Sequence, residues 1–308
     1  MLGILGSGFG LYGYLPAIIE SDFDNVALPI ALKGNLTSRS ELKSYVNSIV
    51  WVENREVMLE SVDSLVLAVP PFQQVMIVKD LLNKRFNNID KLFLEKPPAT
   101  DYSKSIALLS ELKESHLKFR IAYTFPFCNW FETLRTFIEE NNTSDLKINI
   151  EWVFNAYYLQ YQPNSWKAFS KEGGGVLNFY GIHILSVFVM LGFNILKHSF
   201  LYCEKVDRPI LWHAEYKNSL GAKVSIRIDC NSSNEKFKIE SCSNGNFTLV
   251  DLLNPFEEEL NYNNQDKRVS CLMKYIRTMN LNNEIYSYYD SINLIWKETI
   301  VNTEYLKL

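Results

Sequence analysis

Apolar positions follow two different rhythms along this chain. Through residues 1–122 they come in short continuous runs separated by helix-spaced stretches. Leu2-Gly-Ile-Leu5 predicts a strand, and Gly6-Ser7-Gly8-Phe9-Gly10 turns from it into a helix running to about Glu20. Val26–Leu32, Ser64–Val69, Lys91–Leu94 and Lys118–Tyr123 read as further strands. Between them, Arg39–Ser48, Gln73–Lys84 and Tyr102–Ser115 read as helices. Continuous rather than alternating apolarity suits parallel strands buried on both faces. Strands alternating with helices in this way predict an α/β fold, a doubly wound parallel sheet of the Rossmann type.

The rhythm changes after residue 122. Lys147–Phe154, Lys223–Ile228 and Lys236–Glu240 alternate with period two. Such strands have one wet face and usually pair antiparallel. An apolar helix is predicted over about Gly175–Leu191, and an amphipathic one over about Asn283–Tyr305. Two domains follow, residues 1–122 and 123–308. The last helix is expected to pack back toward the first domain.

Composition narrows the function. The chain has 308 residues, 47% hydrophobic and 21% charged, which is a globular balance. Thirty-one basic residues stand against 35 acidic ones. Without a basic excess to neutralise phosphates, no nucleic-acid partner is expected. The five cysteines, Cys128, Cys203, Cys230, Cys242 and Cys271, form no C-x-x-C pair, so neither a metal site nor a disulfide framework is expected. A reduced, cytoplasmic setting fits them best. Met1–Ile19 carries no charge, but its five glycines and Pro16 make a poor continuous helix. It also lacks a basic leader, so no secretory signal and no membrane association are expected.

Four motifs carry candidate chemistry. Gly6-x-Gly8 follows a strand and opens a helix, where backbone amides and the helix dipole favour a pyrophosphate. Leu11 stands at the third fingerprint position, and the shifted register Gly8, Gly10, Gly13 also fits. Taken alone, the turn fits a structural glycine loop equally. At the second strand's end an acid would select NAD; here Lys33, Ser38 and Arg39 offer a cation and hydroxyls instead. That favours a 2′-phosphate and hence NADP(H), with NAD(H) and a plain solvated loop left open. Glu95-Lys96-Pro97 ends a parallel strand, the edge where such sheets bind ligands, and Lys96 could donate to a carbonyl or alkoxide oxygen there. Last, Trp166-Lys167 precedes Gly173-Gly174-Gly175 and the apolar helix carrying His183.

In this order, with Pro16-Ala17 and Ala68-Val69-Pro70-Pro71, the motifs resemble the glucose-fructose oxidoreductase / inositol dehydrogenase / rhizopine-catabolism family. The resemblance spans residues 1 to about 195. It implies a C-terminal α+β domain with a large open, mostly antiparallel sheet, used for oligomerisation as a homodimer or homotetramer. It also implies hydride transfer between a nicotinamide and a sugar, sugar-nucleotide or cyclitol carbon. By position, Lys96 is the catalytic lysine and His183 the acid/base. The cofactor set becomes Gly6, Gly8, Phe9, Gly10, Lys33, Ser38, Arg39, Val69, Pro70, Pro71, Glu95, Lys96 and Trp166. Tyr123, Asn178 and Tyr161 become substrate contacts.

One departure stands out. The family carries an Asp four residues before the His, and this chain has Phe179. Tyr180, three residues before His183, is the candidate replacement because that spacing puts both on nearly one helix face. Gln74 stands where many members have His. Two other readings stay open: a cofactor-binding scaffold or sensor that has lost its chemistry, and an imine or pyrrole reductase on the same fold.

Overall fold

The computed structural model describes residues 1–21, 25–83, 86, 88–205, 207–242, 247–260, 265–280 and 285–308. The chain divides into two compact units. Unit 1 comprises Met1–Ala99, Ala107–Thr124 and Glu259–Asn283; unit 2 comprises Thr100–Ile106, Phe125–Glu258 and Glu284–Leu308.

Unit 1 is built on six strands: β1 (Leu2–Leu5), β2 (Val26–Pro29), β3 (Ile49–Val52), β4 (Ser64–Leu67), β5 (Lys91–Leu94) and β6 (Lys118–Ile121). They pair parallel in the order β3-β2-β1-β4-β5-β6, the doubly wound order with its switch point between β1 and β4. β1, β4 and the inner part of β5 are buried, as continuous apolar runs require. The connecting helices are α1 (Leu15–Ile19, continuing a π-helical turn Gly10–Tyr14), α2 (Lys33–Thr37), α3 (Arg55–Ser61), α4 (Pro71–Leu82) and α5 (Tyr102–Glu114). Pro71 opens α4 at its first position, where its missing N–H costs nothing.

Some expectations shift. β2 ends at Pro29, and Ile30–Leu32 is a 3₁₀ turn. The predicted helix Arg39–Ser48 is 3₁₀, over Ser40–Ser48. β3 and α3 were not expected: β3 is a run of only four apolar residues, and all but Ile49 are partly exposed.

Unit 2 carries α6 (Asn129–Asn141), β7 (Lys147–Asn155), α7 (Tyr157–Tyr161), a π-helical run Val176–Gly181 leading into α8 (Ile182–Met190), then β8 (Ile195–Lys205), β9 (Arg208–Lys217), β10 (Lys223–Asp229), β11 (Asn231–Ser241) and β12 (Phe247–Leu252). The chain re-enters unit 1 as α9 (Arg268–Arg277) and finishes in unit 2 with α10 (Ile285–Val301) and β13 (Thr303–Lys307). The sheet order is β12-β11-β7-β10-β9-β8-β13. Most pairs are antiparallel, but β10 with β7 and β13 with β8 are parallel. Parallel neighbours need a crossover, and α8 with the β8–β9 hairpin lies between β7 and β10 in sequence.

The inner face of this sheet is apolar (Ile150, Trp212, Ala214, Tyr216, Ile226) and packs on α8 and α10. Tyr216 Oη meets Thr299 Oγ1 of α10 at 2.5 Å. The other face is half-exposed and partly charged: Glu151 accepts from Arg227 at 3.1 Å and from Lys236 at 2.6 Å. In unit 1, α9 is held on β6 by buried Arg120, whose Nε donates to the Thr278 carbonyl at 2.9 Å while its own carbonyl accepts from Tyr275 Oη at 2.9 Å.

Candidate active site

In unit 1 all six strands point one way, so their C-terminal ends share one edge. The exits of β1, β4, β5 and β6 therefore bring together the Gly6–Gly10 turn, Ala68–Pro71, Glu95–Lys96 and Tyr123. Backbone bonds continue the ladder past the strands: Ala68 N–H donates to Leu5 at 2.8 Å, Glu95 N–H to Leu67 at 3.3 Å and Ala122 N–H to Leu94 at 2.9 Å. Gly6 is demanded by this closeness. Its φ is +134°, and a Cβ there would lie 2.2 Å from the Ala68 carbonyl oxygen.

Gly8 is different. Nothing lies within 4 Å of where its Cβ would be, and it is exposed. No packing inside the chain calls for a glycine here, whereas a ligand resting on the backbone would. The Gly8 carbonyl accepts from Leu11 and Tyr12 and so starts the helical run Gly10–Ile19. The turn therefore fits a dinucleotide: a bare backbone face, then a helix N-terminus. The ring of Phe9 lies over Gly13 and packs edge-on to Tyr12 and Tyr14.

Lys96 is buried at the end of β5, next to Glu95. Its amide donates to Glu95 Oε2 at 3.2 Å, and Tyr14 Oη donates to Glu95 Oε1 at 2.7 Å. Burial raises the Glu95 carboxyl above its ordinary range, against the opposing pull of Lys96, Tyr14 and Arg268. Burial and then the Glu95 charge push the Tyr14 phenol well up. Gln74, wholly buried on α4, brackets the segment from behind. Its Nε2 donates to the carbonyls of Glu95 (2.9 Å) and Pro98 (3.1 Å), and its Oε1 accepts from Glu95 N–H at 2.8 Å. Sequence reasoning registered Gln74 only as a departure; its task is invisible there because all three partners are backbone.

At the β2 end, Pro29–Leu32 offers no carboxylate. Lys33, Ser38 and Arg39 are exposed. Lys33 Nζ stands 5.7 Å over the Trp51 ring, Ser38 Oγ donates to the Asn35 carbonyl, and the Arg39 guanidinium covers Tyr12 at 4.9 Å.

In unit 2 the triple glycine folds tightly on its own approach. A Cβ at Gly174 would lie 2.3 Å from the Trp166 carbonyl oxygen, and Gly175 has φ +77°. The chain then enters the π-helical run. His183, in the first turn of α8, is 7% exposed and stacks on Phe125 at 4.6 Å and 14°. Tyr180 lies among Trp152 (5.4 Å), Phe154 (4.7 Å) and Phe179 (4.9 Å). Phe179 packs edge-on against Trp166 at 5.4 Å, with Lys167 Nζ 5.4 Å over its ring. Asn178 is buried, its amide engaged with the Ser170 carbonyl and the Trp296 indole N–H, both at 3.0 Å. Tyr161 is exposed on α7 and pairs with Tyr157 at 4.8 Å.

Glycine turn, switch point and companion mixed sheet together define the fold: a doubly wound parallel sheet in one unit and a seven-stranded mixed sheet in the other. Solved structures share it over their length. KijD10, a 3-ketoreductase from Actinomadura kijaniata solved with NADP and TDP-benzene, is 12% identical; 100% of this chain and 98% of that one align, with a TM-score of 0.70. GenD2 from gentamicin A biosynthesis, solved with NAD, is 13% identical over 98% of this chain and 93% of that one, also with a TM-score of 0.70. The sequence itself matches no family profile and no curated protein. The fold implied by the motif resemblance is thus found.

Proposed function

We propose that the protein is an NADP(H)-dependent oxidoreductase acting on a carbon of a sugar, sugar nucleotide or cyclitol. The observation that carries this is the single edge of unit 1 on which the bare Gly8 backbone, Val69–Pro71 and Lys96 meet, on a fold whose solved examples hold NADP or NAD. When bound, the nicotinamide supplies or accepts the hydride. Gly6, Gly8, Phe9 and Gly10 hold the pyrophosphate, Val69, Pro70 and Pro71 border the nicotinamide, and Glu95 and Lys96 stand beside it at the end of β5. Lys33, Ser38 and Arg39 receive the 2′-phosphate; the absence of a carboxylate over Pro29–Leu32 supports NADP(H) over NAD(H). Trp166 is a further proposed cofactor contact.

Lys96 stabilises the charge developing on the substrate oxygen. His183 exchanges that oxygen's proton, a task suited to an imidazole. Tyr180 helps orient His183, through the aromatic side chains both pack among. Tyr123, Asn178 and Tyr161 are the proposed substrate contacts. Of these, exposed Tyr161 is the most available to a ring, while the amide of Asn178 already serves Ser170 and Trp296. A cytoplasmic setting is proposed as well; among the described residues no helix is long and apolar enough to cross a membrane.

The test is NADPH consumption with a panel of sugar-derived ketones. Lys96→Ala and His183→Asn should each lower kcat by about 10²–10⁴-fold while NADPH affinity stays nearly constant. Unchanged turnover in His183→Asn returns that residue to a packing role. A second reading draws on Phe179: its place against Trp166, where the resembled family has an acid, favours a cofactor-binding protein without chemistry. Tight NADPH binding with no turnover on any substrate would select it.

A further inference from the structure

We propose that Arg268 is a further cofactor-binding residue, its guanidinium closing on the pyrophosphate at the Gly6–Gly10 turn. The inference rests on the dinucleotide reading above. It starts from a deficit. No Lys or Arg occurs between Met1 and Leu32, so the turn itself offers a pyrophosphate only amides and a helix dipole. The charge arrives from the far end of the chain. Arg268, first residue of α9, lies in the stretch that returns to unit 1, and its guanidinium stands 4.4 Å over the ring of Phe9 and 5.7 Å from that of Tyr12.

Asp266 presents it. The carboxylate accepts from Arg268 Nε at 2.8 Å and Nη2 at 2.5 Å, fixing the plane of the fork, and Tyr12 holds the guanidinium with a further side-chain hydrogen bond. Burial opposes the charge on Arg268, but Asp266 more than restores it. The side chain as a whole keeps 36% of its surface exposed. A planar guanidinium on an aromatic ring, oriented by one carboxylate, is well shaped for phosphate oxygens. The rings it meets, Phe9 and Tyr12, belong to the turn and helix start at the exit of β1, which puts it beside that sheet edge. Arg39, paired with Glu41 at 3.6 Å, covers the same Tyr12 ring. The two guanidiniums thus divide the work: Arg39 toward the 2′-phosphate, Arg268 toward the pyrophosphate. A lock on the returning segment alone would use the same contacts, so the test must separate the two roles.

The full chain is titrated with NADPH, NADH and adenosine 2′-monophosphate, which carries the 2′-phosphate but no 5′-phosphate, for wild type, Arg268→Ala and Arg268→Lys. Melting temperatures are read alongside. Arg268→Ala should weaken NADPH and NADH alike by about 10- to 150-fold and leave the monophosphate unchanged. Arg268→Lys, which keeps the charge without the fork, should recover part of the loss, and it carries the test if the alanine variant does not fold. Unchanged NADPH affinity in these variants, with only a lower melting temperature, overturns the proposal. So does an equal loss for the monophosphate, which would assign Arg268 to the 2′-phosphate. Failure of the wild-type chain to bind either dinucleotide would overturn the dinucleotide reading itself, and the proposal with it.

Discussion

Gln74→Leu removes a side chain of similar size whose amide makes three hydrogen bonds to the segment carrying Lys96. Gln74 itself is 0% exposed. The substitution strands the Glu95 and Pro98 carbonyls and leaves the Glu95 N–H only its longer bond to the Leu67 carbonyl. An unmet buried polar group costs about 1–3 kcal/mol. The Glu95 groups are half-buried and recover part of that from water, so about 1 kcal/mol each is reasonable, with about 2 for the buried Pro98 carbonyl. Burying a leucine in place of the amide returns about 1 kcal/mol, leaving a net loss of about 3. That is a large part of the ~5–15 kcal/mol of an ordinary domain. It corresponds to a melting-temperature drop of roughly 6–12 °C.

The effect should also reach turnover. Lys96 follows Glu95 directly, and displacing a reacting group by about 1 Å can cost about 10²-fold. Differential scanning calorimetry and NADPH-oxidation kinetics read the two effects separately. Gln74→His, which offers one donor and one acceptor, should fall between Leu and wild type. Gln73→Leu, on the exposed side of α4, is the control. A melting temperature within about 2 °C of wild type and an unchanged kcat in Gln74→Leu would refute the reasoning.

The Glu95 carboxyl titrates above its ordinary value of 4.5, chiefly through burial, so the folded chain holds its proton more tightly than the unfolded one. The stability this gives is full below about pH 4.5 and is lost as pH rises through the raised value. Glu95→Gln keeps an acceptor for Tyr14 and cannot ionise, so its stability advantage over wild type should grow across that window; denaturant melts showing a constant difference at all pH would contradict this. NADPH should bind more tightly than NADH by about 10- to 150-fold, as one charge-assisted hydrogen bond allows, and fluorescence titration with NADH the tighter ligand would sink the assignment of Lys33 and Arg39. The chain should form a homo-oligomer through the half-exposed face of the unit 2 sheet, where Phe200, Tyr202 and Leu211 accompany the ion pairs; a single monomeric species by light scattering at micromolar protein would contradict it.

Much of unit 1 was legible because parallel strands buried on both faces are written as unbroken apolar runs. β1 and β5 fall on their expected residues, and β4 and β6 differ only at one end. Tertiary context decided the rest. β2 stops at Pro29 and turns into 3₁₀ geometry even though apolar residues continue to Leu32. β8 and β9, long strands of unit 2, were not expected, because His198, Cys203, Pro209 and Ala214 blur their alternation. The candidate site divides in the same way. The Gly6–Gly10 turn and Lys96 announce themselves by standing at strand ends. Gln74 and Arg268 carry no such mark, since one serves backbone atoms and the other meets rings that only folding brings near.

The assignment of Tyr180 rests on a spacing of three, which presumes α-helical geometry. Val176–Gly181 is instead π-helical, so each residue turns through a smaller angle and the expected face rotates. The neighbours reflect this: the Tyr180 ring rests against Trp152 and Phe154, while His183 stacks on Phe125, and Trp152 also meets Phe125 at 5.3 Å. One indole thus stands between the two side chains' surroundings. Phe179 belongs to the same wall through Trp166 and Tyr180. An Asp in its place would put a carboxylate among rings, with the Lys167 ammonium, now 5.4 Å over the Phe179 ring, as a compensating charge. The departure at Phe179 is therefore built into its surroundings rather than being a single lost proton carrier. Where the resembled family has a carboxylate near its histidine, this chain sets the His183 ring in part by stacking. Stacking fixes the plane of an imidazole but neither adds to its basicity nor selects its tautomer, as a carboxylate partner would.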